Sequence, residues 1–182
     1  MTKSVAGLEG VLVEEIRAWS EEQLEIETEG LSACPYAKAA WDNDRVKVIF
    51  KHDAHKQALY SAISQFEDRY DVTVLVDLAF DKAEDFHDYV EELNEAISKG
   101  VFIDRNIWVM GFHPEDDVNE AVDDGGFEPL VEVSYAMYFI QRLDKLQTAA
   151  EKLLKQDYYK KYFGEAMPPH VFETRESYAR RL

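Results

Sequence analysis

The feature that most constrains the fold is the run from Asp71 to Leu78, which is apolar on both of its alternating faces. A strand with two apolar faces has to be covered on both sides, as the central strand of a layered protein is. Shorter apolar runs occur at 46–50 and 106–112, and a weaker one at 130–138. These runs predict a mixed sheet of about four strands.

Segments with helical periodicity separate these strands. Apolar residues recur every three to four positions in 6–27, between Asp53 and Tyr70, in 81–99 and in 140–162. Asp53 is the expected N-cap of the second of these helices. The alternation predicts an α/β (or α+β) layered sandwich in which helices cover the sheet. It leaves the strand order open, except that the third and fourth strands are expected to be antiparallel neighbours.

The length of 182 residues is that of one domain with an appendage. We expect a single globular domain over 1–163 and a C-terminal tail over 164–182, after the break at the Pro168-Pro169 pair. The tail is either loose or packed, on a partner or on the acidic body of the same chain. It carries three arginines, Arg175, Arg180 and Arg181.

Charge and cysteine usage narrow the class of protein. The formal net charge of -17 repels phosphate backbones, so no nucleic-acid partner is expected. No apolar run approaches the ~20 residues of a membrane span, and no secretory signal is recognisable at the start. The single cysteine cannot form an internal disulfide. We therefore expect a cytoplasmic protein that does not bind membranes.

Cys34 is the first candidate for chemistry, because it directly precedes a helix that Pro35 is expected to open. The positive end of a helix dipole and its unpaired N–H groups favour a thiolate. Cys34 is therefore a possible nucleophile or metal ligand. The alternative is a buried cysteine that does not react.

His113 is the second candidate. It ends an apolar strand, where α/β proteins usually place their ligand-binding residues. An imidazole there can act as an acid, a base or a metal ligand. Asp116 or Asp117 would orient the ring, which completes a nucleophile–base–orienter arrangement with Cys34. In the alternative, His113 bonds a backbone carbonyl in a turn that ends the strand.

Three segments occur in an order that resembles a known family: Leu31–Ala37 with its Cys-Pro-aromatic-Ala motif, Asp85–Tyr89 with Asp-Phe-x-x-Tyr, and Gly111–Pro114 with Phe-His-Pro. This order resembles the uncharacterised bacterial family called domain of unknown function fourteen-fifteen. The resemblance implies that Cys34 and His113 belong to one site. It implies no reaction.

Metal binding is a further possibility. Eight acids and no Lys or Arg occur between Asn106 and Gln141, which would suit a hard cation, although a solvated acidic loop explains them as well. His52 and His55 would need further ligands to hold zinc, and are otherwise a surface pair. The sequence therefore specifies no metal and no cofactor.

Two functions of different class remain. The first is an enzyme that acts on a small molecule, thiol-dependent or metal-assisted, with Cys34, His113, Asp116 and Asp117 as its catalytic residues. The second is a non-catalytic protein-binding or assembly module. It would use the acidic loop and the aromatic C-terminal helix around Tyr158 as its contact surface. The sequence does not specify the oligomeric state.

Overall fold

The structure, a computed structural model, describes residues 5–25, 27–28, 31–32, 35–53, 55–79, 82–115, 135–155, 175–178 and 180. The helices are, in chain order, α1 (Val5–Glu25), α2 (Pro35–Asp42), α3 (Gln57–Ser64), α4 (Ala83–Ser98) and α5 (Leu143–Leu154), with a short 3-10 turn at Ile103–Arg105 and a helical turn at 175–178. The strands are β1 (Glu27–Thr28), β2 (Leu31–Ser32), β3 (Val46–Lys51), β4 (Val72–Asp77), β5 (Ile107–Phe112) and β6 (Ala136–Arg142).

The main sheet is mixed and has four strands in the order β3-β4-β6-β5. β3 and β4 are parallel, whereas β6 is antiparallel to both β4 and β5. β3, β4 and β5 therefore run in one direction, and their carboxyl ends meet at one edge of the sheet. The predicted α/β layered sandwich is confirmed, and the third and fourth strands are antiparallel neighbours as expected. β1 and β2 form a separate small hairpin.

Both faces of the sheet are covered by helices. On one face, Ile16 of α1 and Trp41 of α2 pack with the side chains of Val74 and Met137. On the other face, α3, α4 and α5 pack on the opposite side of the same strands. All six residues of β4 are buried. The run that is apolar on both faces thus forms an interior strand, as its sequence predicts.

Helix α4 lies along the edge strand β5. Its Asn94 amide donates to the Val109 carbonyl at 2.6 Å, and its side-chain oxygen accepts the Val109 N–H at 3.1 Å. Asn94 thus makes both of the hydrogen bonds that a neighbouring strand would make with the main chain of Val109. These bonds protect the exposed edge of the sheet at β5. Closer to the end of β5, Gly111 faces Phe86 and Val90 of α4. The missing side chain at Gly111 lets the helix approach the strand.

The predicted limits of the last strand and helix are wrong. We predicted a strand over 130–138, of which 130–134 lie outside the described residues, and a helix over about 140–162. In the described part, β6 runs from Ala136 to Arg142 and α5 begins at Leu143. Ile140 fits the helical period of α5, but it pairs with Val109 in the sheet. Pairing on both sides, with β4 and with β5, extends the strand past the point at which the helical pattern begins.

The predicted cap of the second helix is also wrong. The Asp53 carboxylate accepts the N–H of His55 in a local turn, and α3 begins only at Gln57. The N-cap position is Lys56, whose side chain makes no capping hydrogen bond. A short Asx-type turn thus competes with helix capping at Asp53. The helix also ends at Ser64, before Phe66 and Tyr70.

Several predicted segments lie outside the described residues. These are the acidic loop and the aromatic segment around Tyr158. In the tail, Arg175 and Tyr178 are buried, and Tyr178 belongs to the core beneath α3, α4 and α5. No helix in the described ranges is both long and apolar enough to cross a bilayer.

We expect Gly111→Ala to destabilise the protein by about 1–3 kcal/mol, because the added Cβ overpacks the contact between β5 and α4. An ideal Cβ at Gly111 would lie 2.5 Å from Cε1 of Phe86 and 3.0 Å from Cγ2 of Val90. Equilibrium unfolding in urea measures the change.

The matched control is Gly10→Ala. Gly10 lies inside α1, and apart from its own helix backbone no described atom lies within 4 Å of the added Cβ, so helix propensity should stabilise this variant by roughly 0.5–1 kcal/mol. If Gly111→Ala were as stable as the unsubstituted protein, the close approach of α4 to β5 would be wrong.

Candidate functional site

The carboxyl edge, where β3, β4 and β5 end, carries a buried ion pair. Lys51 is the last residue of β3 and Asp77 the last residue of β4, and the two are register partners. Their Nζ and Oδ2 atoms are 2.6 Å apart, and their side chains are only 5% and 4% exposed. The second carboxylate oxygen of Asp77 accepts the N–H of Ala79 at 3.0 Å. Both charges are therefore compensated within the protein.

This ion pair lines a small cavity. Tyr138 of β6, Leu59 of α3 and Lys56 at the N-cap of α3 also line the cavity. The remaining lining residues belong to α4. The cavity has a volume of ≈ 20 Å³, enough for a water molecule or a group of similar size. The lining residues are Lys51, Lys56, Leu59, Asp77, Asp85, Phe86, Tyr89 and Tyr138.

Besides the ion pair, polar side chains from two helices line the cavity: Lys56 at the N-cap of α3, and Asp85 and Tyr89 of α4. Lys56 Nζ lies 3.6 Å from the centre of the Tyr89 ring, which is a cation–π contact. Burial, and after it the neighbouring Tyr60 hydroxyl, raise the pKa of Tyr89 well above the usual value for a tyrosine. The phenol therefore stays neutral at physiological pH. Tyr89 therefore contributes a neutral hydrogen-bonding group to the cavity wall.

His113 follows β5 directly, as expected from the sequence, and is completely buried. Its Nδ1 accepts the backbone N–H of Glu115 at 3.1 Å, so the neutral ring carries its proton on Nε2. The ring centres of His113 and Phe86 are 5.5 Å apart, and Phe86 in turn lies 4.7 Å from Tyr138. His113 therefore contacts the wall of the cavity through Phe86 without itself lining it.

His113 lies on the same face of the sheet as the ion pair. Phe112 pairs with Met137, so the next residue, His113, is level with Ala136, which is the partner of Asp77. Two strand spacings of about 4.8 Å then separate the backbones of Asp77 and His113, roughly 10 Å in all. Ala136 between them carries only a methyl group, which leaves room for the Phe86 ring.

Of the four site residues predicted from the sequence, only His113 lies in the described part of the chain. Cys34, Asp116 and Asp117 are outside it. Helix α2 does begin at Pro35, as predicted. The hydroxyl of Tyr36 donates to the backbone carbonyl of Asp71 at 2.8 Å, at the amino end of β4. The pairing of Cys34 with His113 therefore stays a prediction.

The ion pair itself was missed at the level of sequence. A signal was present, because Lys51 and Asp77 each end an apolar strand run. Both lie at positions that alternate onto the same face of a parallel strand pair. That they are partners follows only when β3 and β4 are known to be neighbours. Nothing in the spacing of the two residues along the chain indicates this.

A second ionic cluster lies at the opposite end of β4. Asp71 binds Arg45 through both oxygens, at 2.8 and 2.9 Å, and also contacts Lys145. Partial burial by itself would raise the pKa of Asp71, but the hydrogen bonds from Arg45 and Lys145 outweigh it and hold the pKa below the usual value. Since the side chains of Arg45 and Lys145 are both more than one-third exposed, this cluster is a surface clamp.

Two further observations bear on the candidate ligands. Within the described ranges, no three side chains of His, Cys, Asp or Glu lie close enough together to hold a metal ion. His52 and His55 are both exposed, and Nε2 of His52 lies 3.3 Å from the carboxylate of Glu9.

Comparisons with protein-family models, with curated proteins and with solved structures found no match for this chain.

We expect Lys51→Met and Asp77→Leu to destabilise the protein by about 3–5 kcal/mol each, because each leaves an uncompensated buried charge. The double variant, Lys51→Met with Asp77→Leu, should be close to the unsubstituted protein or more stable by about 1–4 kcal/mol. Denaturant unfolding of the four proteins gives the coupling energy. A double variant as unstable as the sum of the two single ones would mean that the residues do not form a pair.

The Asp71 clamp predicts a pH dependence. A carboxyl with a lowered folded-state pKa stabilises the protein above its unfolded pKa of about 3.9, and this stabilisation is lost as the pH falls through the folded-state value. Asp71→Asn should therefore be less stable at neutral pH, by about 1–3 kcal/mol. The deficit should shrink as the pH is lowered. Urea unfolding at a series of pH values measures it, and a deficit that grew in acid would contradict the clamp.

Proposed function

We propose that this protein is an enzyme that acts on a small molecule at the carboxyl edge of its sheet, with Lys51 and Asp77 as the groups that carry the chemistry. The observation that supports this is the buried ion pair, which lines a cavity at the edge where open α/β sheets place their ligands. The pair brings a proton donor and a proton acceptor together at one concave surface.

The energetics of the pair favour a functional role over a structural one. Removing two charges from water costs several kcal/mol per ion, and an apolar pair of similar volume is often as stable or more so. β3 and β4 are already joined by six consecutive residue pairs, so they do not need an ionic link at their ends. A pair that contributes little to stability and lines a cavity is more readily explained by what it does to a ligand.

The roles of the two residues follow from their contacts. Asp77 accepts a hydrogen bond from the Ala79 N–H at Oδ1 and faces Lys51 with Oδ2, so its orientation is fixed. Lys51 is the only partner of Oδ2 among the described side-chain contacts, and its ammonium is the proton source of the site. We assign Asp77 as the general base and Lys51 as the group that donates to, or reacts with, the ligand.

His113 lies next to this site without lining its cavity. Its ring packs on Phe86, which forms part of the cavity wall. The sequence-based hypothesis gives His113 a direct role with Cys34, oriented by Asp116 or Asp117, in thiol-dependent or metal-assisted chemistry. That hypothesis remains a second proposal, together with the resemblance to the family of unknown function. Its thiol and both aspartates lie outside the described residues.

The protein-binding alternative also stays a prediction, because its acidic loop and aromatic C-terminal segment lie outside the described residues. A ligand screen by thermal unfolding distinguishes an enzyme with a small-molecule site from this protein-binding module. Small carbonyl, carboxylate, amine and alcohol compounds are tested against the unsubstituted protein and against the double variant Lys51→Met with Asp77→Leu.

We expect a subset of the compounds to raise the Tm of the unsubstituted protein and not that of the double variant. A ligand at about a hundredfold excess over its Kd adds roughly 2.7 kcal/mol of stability. The double variant is the matched control because it replaces both charges of the ion pair by apolar side chains and leaves the other lining residues in place. Equal shifts in both proteins, or no shift from any compound, would count against an active site at Lys51 and Asp77.

A further inference from the structure

We propose that Lys51 is an amine nucleophile that forms an imine with a small ketone or aldehyde. This inference rests on the proposed function, and it names the substrate class of the same site. Among the lysines in the described part of the chain, Lys51 alone is buried. Lys51 lines a cavity whose wall also includes the apolar side chains of Leu59 and Phe86. An imine is protected from hydrolysis where apolar walls limit the access of water.

The charge of the site is suited to this reaction. The starting state holds a lysine ammonium against the Asp77 carboxylate at 2.6 Å. A protonated imine carries the same single positive charge at the same nitrogen. The buried carboxylate therefore remains compensated from the first state to the last, and no uncompensated charge has to be created inside the protein. A neutral product at this nitrogen would leave Asp77 unpaired.

The proton transfers can be assigned to Asp77. The carboxylate takes a proton from the Lys51 ammonium, and the neutral amine then attacks the carbonyl carbon. The carbonyl oxygen becomes a hydroxyl by taking up a proton that the attacking nitrogen loses. Asp77, now protonated, gives its proton to this hydroxyl, which leaves as water while the C=N bond forms. Ammonium and carbonyl thus give iminium and water, with no oxidant or reductant.

The size of the cavity limits the substrate. A volume of ≈ 20 Å³ holds a group of about the size of one water molecule, such as a carbonyl oxygen, so the rest of the substrate has to extend out of the cavity. Besides the ion pair, a cation and an anion line the cavity, Lys56 and Asp85. A carboxylate next to the carbonyl would be attracted by the first and repelled by the second. Pyruvate and acetone are therefore a useful pair of probes, since they share a ketone and differ in the carboxylate.

The test is reductive trapping. The intact protein is incubated with pyruvate or with acetone in the presence of sodium cyanoborohydride, which reduces an imine to a stable secondary amine. Peptide mass spectrometry then locates the adduct. We expect Lys51 to carry at least roughly tenfold more adduct than the exposed Lys152 or Lys155, since the site holds amine and base together. Equal or lower labelling of Lys51 in the unsubstituted protein would overturn the proposal.

Two variants add controls. Lys51→Arg keeps the positive charge beside Asp77 but cannot form an imine, so the adduct should be lost. Asp77→Asn removes the proton acceptor, and the adduct at Lys51 should fall by roughly tenfold or more. Labelling of the exposed lysines should not change in either variant. If a variant fails to fold, the site-by-site comparison within the unsubstituted protein still decides the outcome.

The trapping experiment and the ligand screen can fail separately. If compounds bind only when the Lys51–Asp77 pair is present, but Lys51 acquires no adduct, the imine is wrong and the active site stands. If compounds bind independently of the pair and Lys51 acquires no adduct, both proposals are wrong. If Lys51 is trapped by pyruvate and not by acetone, the substrate carries an acidic group next to its carbonyl.

Discussion

Strand β4 is buried along its whole length, so the charged side chains at its two ends have to be compensated by neighbouring residues. Asp71 precedes the strand and Asp77 ends it, so each carboxylate needs a compensating cation on a neighbouring element. Arg45 and Lys145 serve Asp71, and Lys51 serves Asp77. The two solutions differ in exposure. The cations at Asp71 reach solvent, whereas Lys51 and Asp77 are both enclosed beside a cavity.

This difference in exposure distinguishes the Lys51–Asp77 pair as the candidate site. Exposed ion pairs contribute little and need no function to explain them, whereas a fully enclosed pair carries a large desolvation cost. The parallel arrangement of β3 and β4 brings the enclosed pair to the edge where ligands usually bind. Helix α4 closes the edge from above with Phe86 and Tyr89. Its close packing depends on Gly111, so the shape of the cavity is coupled to the strand β5.

The sequence alone predicted the three strands β3, β4 and β5, because each is a short apolar run bounded by polar residues. It also predicted that His113 would follow the third of them. It misplaced the fourth strand, since the residues around Ile140 fit a helical period as well as a strand. Pairing with β4 and β5 decided between the two. A local sequence pattern does not reveal that strands distant in the chain pair with each other.

The same limit explains why the ion pair was missed. Lys51 and Asp77 are 26 positions apart in the sequence, and they meet only because β3 and β4 align in register. The chemistry of the single cysteine is evident from its residue type alone. A lysine and an aspartate are common, and only burial and a distance distinguish this pair. The candidate site thus depends on tertiary structure more than the fold class does.

NMR of the lysine side-chain nitrogens tests the enclosed ion pair most directly. Enclosure beside Asp77 should protect the Lys51 ammonium from exchange with water. We expect a protected Nζ resonance of Lys51 near neutral pH, which disappears in Asp77→Asn while the resonances of the other lysines stay unchanged. If the Lys51 ammonium exchanged as fast as those of the surface lysines, the enclosed pair, and the site built on it, would be contradicted.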